Sequence, residues 1–127
     1  MSKKRVLVVD DEPDLVTVIK KYLEDEGFEV DTAYNGVEAI DKVHANPPDA
    51  IVLDVMMPEK DGYETCAELK KDAKYSEIPI VLLTAVADHV SSTRYSHFDG
   101  MSTQADDYLP KPASAEDICE SVKSLLG

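Results

Sequence analysis

The sequence predicts an α/β protein built on a doubly wound, five-stranded parallel sheet with helices on both faces. Three observations carry that expectation. Strands and helices alternate five times along 127 residues, three strand candidates are short unbroken aliphatic runs, and no repeat, low-complexity tract or Pro/Gly/Ser linker interrupts the pattern. Strands roofed by helices on both sides lose the polar/apolar alternation of half-exposed strands, which gives the continuous runs their meaning.

The first run is Arg5 to Val9. After it, Leu15, Val18, Ile19, Tyr22 and Leu23 recur with the spacing of an amphipathic helix, and Gly27 ends it. Phe28 to Ala33 mixes polar and apolar residues, as suits a strand nearer the sheet edge. Asn35, with Glu38 three residues on, has the form of an N-terminal cap and opens the second helix. Asp49 to Leu53 and Ile78 to Leu83 are the third and fourth strands, and the short Asp106 to Leu109 the fifth. Ser114 with Asp117 opens the last helix, whose stripe is Ala115, Ile118, Cys119, Val122 and Leu125. The stretch Ala87 to Gln104 holds Ser91, Ser92, Thr93, Ser96, Gly100, Ser102 and Thr103 without a sustained apolar stripe. A short or broken helix and an irregular loop are expected there.

Length and composition fit one domain over residues 1–127 that folds by itself, with no room after the last helix for an output domain. The formal charge of −13 repels phosphate backbones and anionic lipid, so direct DNA binding is not expected. Apolar runs such as Val6 to Val9 are too short to span a bilayer, and the polar start leads straight into a strand, so a cytoplasmic location is expected. Cys66 and Cys119 have no CxxC spacing and read as buried thiols; His44, His89 and His97 match no ligand spacing and read as surface residues.

Right-handed crossovers place the carboxyl ends of all the strands on one edge of the sheet. In the flavodoxin-like order 2-1-3-4-5, the first and third strands are neighbours, so Asp10, Asp11 and Asp54 share one crevice, with Glu12, Thr84 and Lys111 at the same edge. Crowded carboxylates raise one another's pKa or hold a cation, and an all-oxygen set suits Mg2+ rather than zinc. A carboxylate is also a nucleophile toward phosphorus, with a metal and an ammonium neutralising the transferred charge, roles that fit Asp54, Mg2+ and Lys111. Taken singly, each residue has a plainer reading: an acidic turn capping the first helix, a turn aspartate before Pro58, a strand threonine, a surface lysine in a rigid turn. Their coincidence at one edge argues for chemistry.

Four motifs resemble, over essentially the whole chain, the receiver domain of bacterial two-component response regulators: Val8-Val9-Asp10-Asp11-Glu12; Asp54-Val55-Met56-Met57-Pro58 with Asp61-Gly62; Leu83-Thr84-Ala85; and Asp106-Asp107-Tyr108-Leu109-Pro110-Lys111-Pro112. The resemblance implies that Asp54 takes a phosphoryl group from a sensor histidine kinase or phosphotransfer protein. It implies that Asp11, Asp54 and the Met56 carbonyl bind Mg2+, with Asp10 acting through a metal-bound water. Thr84, the Ala85 amide and Lys111 would hold the phosphoryl oxygens, and Thr84 and Tyr108 would move as the switch. The domain would then signal to a downstream protein target through the helix before the fifth strand, that strand and the helix after it, catalysing only its own phosphoryl transfer and dephosphorylation. Lys111-Pro112 matches a position where the family has a cis peptide.

Two features depart from the family pattern. Thr84 and Lys111 are 27 positions apart, several more than is usual, and Met56 stands where a side chain would orient a water, so slow self-dephosphorylation is expected. Three rival readings share the fold or the chemistry. A haloacid-dehalogenase-type hydrolase needs a carboxylate where Met56 stands, and a flavodoxin needs a phosphate cradle where Asp10, Asp11 and Glu12 stand. A module that keeps the fold and uses the acidic edge only for docking would not require the complete set of site residues.

Overall fold

Five runs of strand-forming residues pair into a single sheet in a computed structural model that describes residues 3–55, 61–85, 105–111 and 113–126. The strands are β1 (Arg5–Val9), β2 (Glu29–Ala33), β3 (Ala50–Asp54), β4 (Ile80–Ala85) and β5 (Asp107–Lys111). All neighbours are parallel, in the order β2-β1-β3-β4-β5. The described helices are α1 (Pro13–Asp25), α2 (Gly36–Ala45), α3 (Gly62–Lys71) and α4 (Ala115–Leu126). The expected irregular stretch Ala87 to Gln104, with His89 and His97, lies outside the described residues, as does the Pro112 peptide.

Alternate strand residues divide the core into two layers, as the two-residue period of a strand requires. On one face Val6, Val8, Val52, Val81 and Leu83 pack with Val16, Ile19 and Leu23 of α1 and Ile118, Cys119 and Val122 of α4. On the other Leu7, Val9, Ile51, Leu53 and Leu82 pack with Ala39 and Val43 of α2 and Cys66 and Leu69 of α3. The two cysteines are buried in opposite layers.

Several boundaries differ from the sequence expectation, each for a local reason. β4 begins at Ile80 rather than Ile78, because Pro79 has no N–H for the ladder and Ile78 N–H donates instead to Tyr75 O in a turn. β5 runs on to Lys111, since Pro110 sits on the edge strand, where a missing donor is tolerated. Val18 is 57% exposed and Val16 is buried in its place. At about 100° per residue, Val16, Ile19 and Leu23 fall within about 60° of one another, and Val18 points about 130° away from their centre. The caps form as expected: Asn35 Oδ1 accepts from Glu38 N at 2.8 Å, and Ser114 Oγ from Asp117 N at 3.0 Å. Glu38 Oε1 reaches back to Tyr34 N at 2.9 Å, a variant of the reciprocal capping arrangement.

Gly27 closes α1 with φ 99°, a backbone setting that L side chains rarely adopt, and a Cβ there would meet nothing within 4 Å. Its replacement is therefore penalised by backbone strain alone. Gly27→Ala should lower stability by about 1–2 kcal/mol in urea unfolding, with an unchanged m-value.

Candidate functional site

Strand parity assembles the site. Asp10 follows β1, Asp54 ends β3 and Lys111 ends β5, and all three continue the alternation of the layer that packs against α1 and α4. Lys111 has to reach past β4 toward Asp54 on β3, about two strand spacings or close to 10 Å away, a span its four-carbon stem covers together with the 3.1 Å contact and the Asp54 side chain, while Asp10 leans in from β1, one strand further. Its Nζ lies 3.1 Å from Asp54 Oδ1, 3.4 Å from Asp10 Oδ2 and 3.9 Å from Glu12 Oε1. Asp10 and Asp54 are 0% and 1% exposed, so the ammonium and both carboxylates interact where water screens little.

The loop after β1 is bent by its own carboxylate. Asp10 N donates to Ala33 O at 3.1 Å, tying the loop to β2, and Asp10 Oδ1 accepts from Glu12 N at 3.0 Å. Glu12 sits at the N-cap of α1 without a side-chain capping bond, and Pro13 follows. The plainer reading of this acidic turn, as a helix cap, is thus not what the Glu12 side chain does. Asp10, Asp11 and Glu12 each present a carboxylate oxygen, all within 4.8 Å of one another. An anionic, all-oxygen group of this kind suits a hard divalent cation such as Mg2+.

Thr84 is half-buried and, by parity, lies on the opposite face of the sheet from Asp54. Ala85 pairs with Lys111 in the ladder. Tyr108 is 39% exposed, pairs with Leu82, and falls on the same face as Thr84. Met56 lies outside the described residues. The structure therefore brings Asp10, Asp54 and Lys111 into contact, with Asp11 and Glu12 at the rim, and sets Thr84 and Tyr108 on the other face. Glu12 was not among the expected ligands; the signal was its place in the Asp-Asp-Glu run.

Residues 6–123 match the response regulator receiver domain. The chain belongs to that family. Receiver domains are the phosphoacceptor switches of two-component signalling, and that is the function of this one. The domain is 41% identical over 122 residues to Response regulator MprA of Mycobacterium avium, covering 96% of this chain and 50% of that protein. It thus spans about half the length of the curated relatives it matches. Its fold is similar to the signal receiver domain of a signal transduction histidine kinase from Syntrophus aciditrophicus, with TM-score 0.85, 34% identity and coverage of 97% and 89% of the two chains. The chemotaxis response regulator CheY4 of Vibrio cholerae is also similar, with TM-score 0.83, 27% identity and coverage of 98% and 99%. No helix among the described residues is long and apolar enough to cross a membrane.

The electrostatics of the receiver site make a measurable claim. Burial, reinforced by the neighbouring Asp54 charge, pushes the Asp10 carboxyl up to about 6, against the pull of the Glu12 N–H and Lys111. Burial works against the Lys111 ammonium too, but its bonds to Asp54 and Asp10 outweigh it and raise its pKa. A carboxyl whose folded pKa lies above its unfolded value gives stability that is complete below the unfolded pKa, near 3.8, and lost as pH rises through about 6. In metal-free protein, Asp10→Asn should therefore match wild type near pH 3 and exceed it by up to about 3 kcal/mol near pH 8. Urea midpoints across that range test it.

Proposed function

We propose that Asp54 is the phosphoacceptor. It takes the phosphoryl group from a sensor histidine kinase or phosphotransfer protein in a Mg2+-dependent reaction, after which the domain signals to a downstream protein target. The observation that carries this reading is Lys111 Nζ held between the buried carboxylates of Asp54 and Asp10, at 3.1 and 3.4 Å.

A carboxylate oxygen of Asp54 attacks phosphorus, the bond from phosphorus to the donor's imidazole nitrogen breaks, and the electron pair leaves with that nitrogen. Lys111 compensates the negative charge gathered at the acceptor, and the Thr84 hydroxyl and Ala85 amide donate to the phosphoryl oxygens. Asp10, Asp11, Asp54 and the Met56 carbonyl are the residues that would hold Mg2+; Asp10, Asp11 and Glu12 already form the acidic group at this edge. When bound, the ion supplies charge neutralisation to a transfer between anions. Thr84 and Tyr108, on one face of β4 and β5, are the switch pair.

On this reading residues 1–127 are one receiver domain in a cytoplasmic setting, acting on no substrate but its own acceptor. A charge of −13 favours a protein target over direct DNA contact.

Intact-mass spectrometry after incubation with acetyl phosphate and Mg2+ should record the gain of one phosphoryl group, absent in Asp54→Asn and in EDTA. Lys111→Ala should slow the gain by roughly a hundredfold or more. An undiminished gain in Asp54→Asn would place the acceptor elsewhere. Because the Met56 thioether cannot orient a water by hydrogen bonding, the acyl phosphate should decay over minutes or longer once donor is removed; decay within seconds would refute this.

A further inference from the structure

Val55, the residue that follows the acceptor, is held from two sides. Val55 N donates to Leu83 O at 3.0 Å, which extends the β3–β4 ladder past its last strand residue. Val55 O accepts from Gly62 N, also at 3.0 Å, so the first residue of α3 is fastened to the chain just beyond the acceptor. The approach is closer than any side chain allows. A Cβ on Gly62 would press on the Asp54 carbonyl oxygen and lie 2.7 Å from Val55 Cα, where ordinary contacts begin at 3.4 Å. Both obstacles are backbone, so no rotamer change relieves them.

Backbone freedom is not the reason for glycine here. Gly27 is the positive-φ glycine among the described residues. Helix propensity alone would favour alanine at the start of α3. What remains is the close approach itself.

The rest of α3 is firmly seated. Asp61 Oδ1 accepts from Glu64 N at 2.8 Å, the buried Thr65 donates from Oγ1 to Asp61 O at 2.8 Å, and Cys66 and Leu69 are in the core. β3 itself ends at Asp54, and beyond it the chain is held to β4 by the Val55 N–Leu83 O bond rather than by a packed helical turn. A side chain at position 62 therefore moves the acceptor more readily than the helix.

We infer that Gly62 is a positioning residue for phosphoryl transfer: it lets α3 clasp the Asp54–Val55 peptide and fixes where the acceptor carboxylate stands relative to Lys111. The inference rests on Asp54 being the acceptor. Relieving the clash needs a displacement on the order of 1 Å, enough to cost up to about a hundredfold in a transfer that depends on alignment.

The full chain is tested as wild type, Gly62→Ala and Gly27→Ala, the last being a strained substitution at the opposite pole of the sheet that lowers stability without touching the site. All are assayed in sucrose at low temperature, where excluded osmolyte favours the folded state and circular dichroism verifies it. Phosphoryl gain is followed by intact mass against acetyl phosphate concentration at saturating Mg2+. Gly62→Ala should lower the saturating rate roughly tenfold to a hundredfold and leave the half-saturating concentration within about twofold, while Gly27→Ala changes neither. A wild-type saturating rate in Gly62→Ala, or the same loss in Gly27→Ala, overturns the inference. If wild type itself gains no phosphoryl group on Asp54, the underlying reading fails and the inference falls with it. Should Gly62→Ala not fold even in sucrose, Thr65→Val, which frees the first turn of α3 without adding an atom, decides the matter: a fall of roughly threefold or more supports the inference, and a wild-type rate overturns it.

Discussion

Two carboxylates are buried in one crevice, and a single ammonium reaches both. Asp10 and Asp54 are almost fully removed from water; ion pairs with Lys111 offset the cost for both, and Asp10 also accepts a backbone hydrogen bond from Glu12 N. Ionised groups taken from water cost several kcal/mol each, so removing Lys111 would strip both carboxylates of their cation, whereas removing Asp10 still leaves Lys111 paired with Asp54. Much of the surrounding architecture follows from bringing three distant segments to that point. The strand order sets β1 beside β3, the helices roof both faces against water, and the long stem of Lys111 crosses β4 from the edge strand.

The sequence already contained most of this, because the relevant signals are local or periodic. Unbroken aliphatic strands announce a doubly covered sheet, and the strand order makes the ends of β1 and β3 neighbours. Asp10, Asp54 and Lys111 also share one parity: counting by twos from Val6, from Ala50 and from Leu109 reaches all three on one face. Thr84 breaks the count, since it follows Leu82 on the other layer. Thr84 and Tyr108 thereby fall on the face of the sheet opposite the three charged side chains, a distinction that motif matching alone does not make.

What escaped the sequence was decided by packing between elements. Val18 has the right spacing for a buried stripe, but the arc that meets β1 and α4 is centred on Ile19 and excludes it. Ser121 looks like a solvent residue on α4 and is instead buried, its hydroxyl donating to Asp107 of β5. Lys70 looks like an ordinary basic residue in the last turn of α3. Its Nζ is enclosed by Ser76 O, Ile78 O and Asp106 Oδ2 at 2.9–3.0 Å. Gly62 looks like a weak helix start until the peptide of Asp54 is placed against it. The hydrogen-bonded partners of Lys70 and Ser121 stand six to 36 residues away, at separations that no helical or strand period marks.

The Lys70 contact bears on how charge at the site is felt elsewhere. Asp106 Oδ2 accepts from Ile80 N as well as from Lys70, and Asp106 N donates to Ile80 O, so β5 is fastened at its amino end to the start of β4. At its carboxyl end the Lys111 side chain is held by charge. A strand pinned at one end and electrostatically tethered at the other responds to a change of charge at its tethered end first. Tyr108 lies between the two ends, on the opposite face from Lys111. The strand is then a short mechanical link between a charged crevice on one side of the sheet and an aromatic side chain on the other. A receiver domain can link chemistry to surface in this way without moving its core, because the two layers that pack the sheet stay seated on α1, α2, α3 and α4.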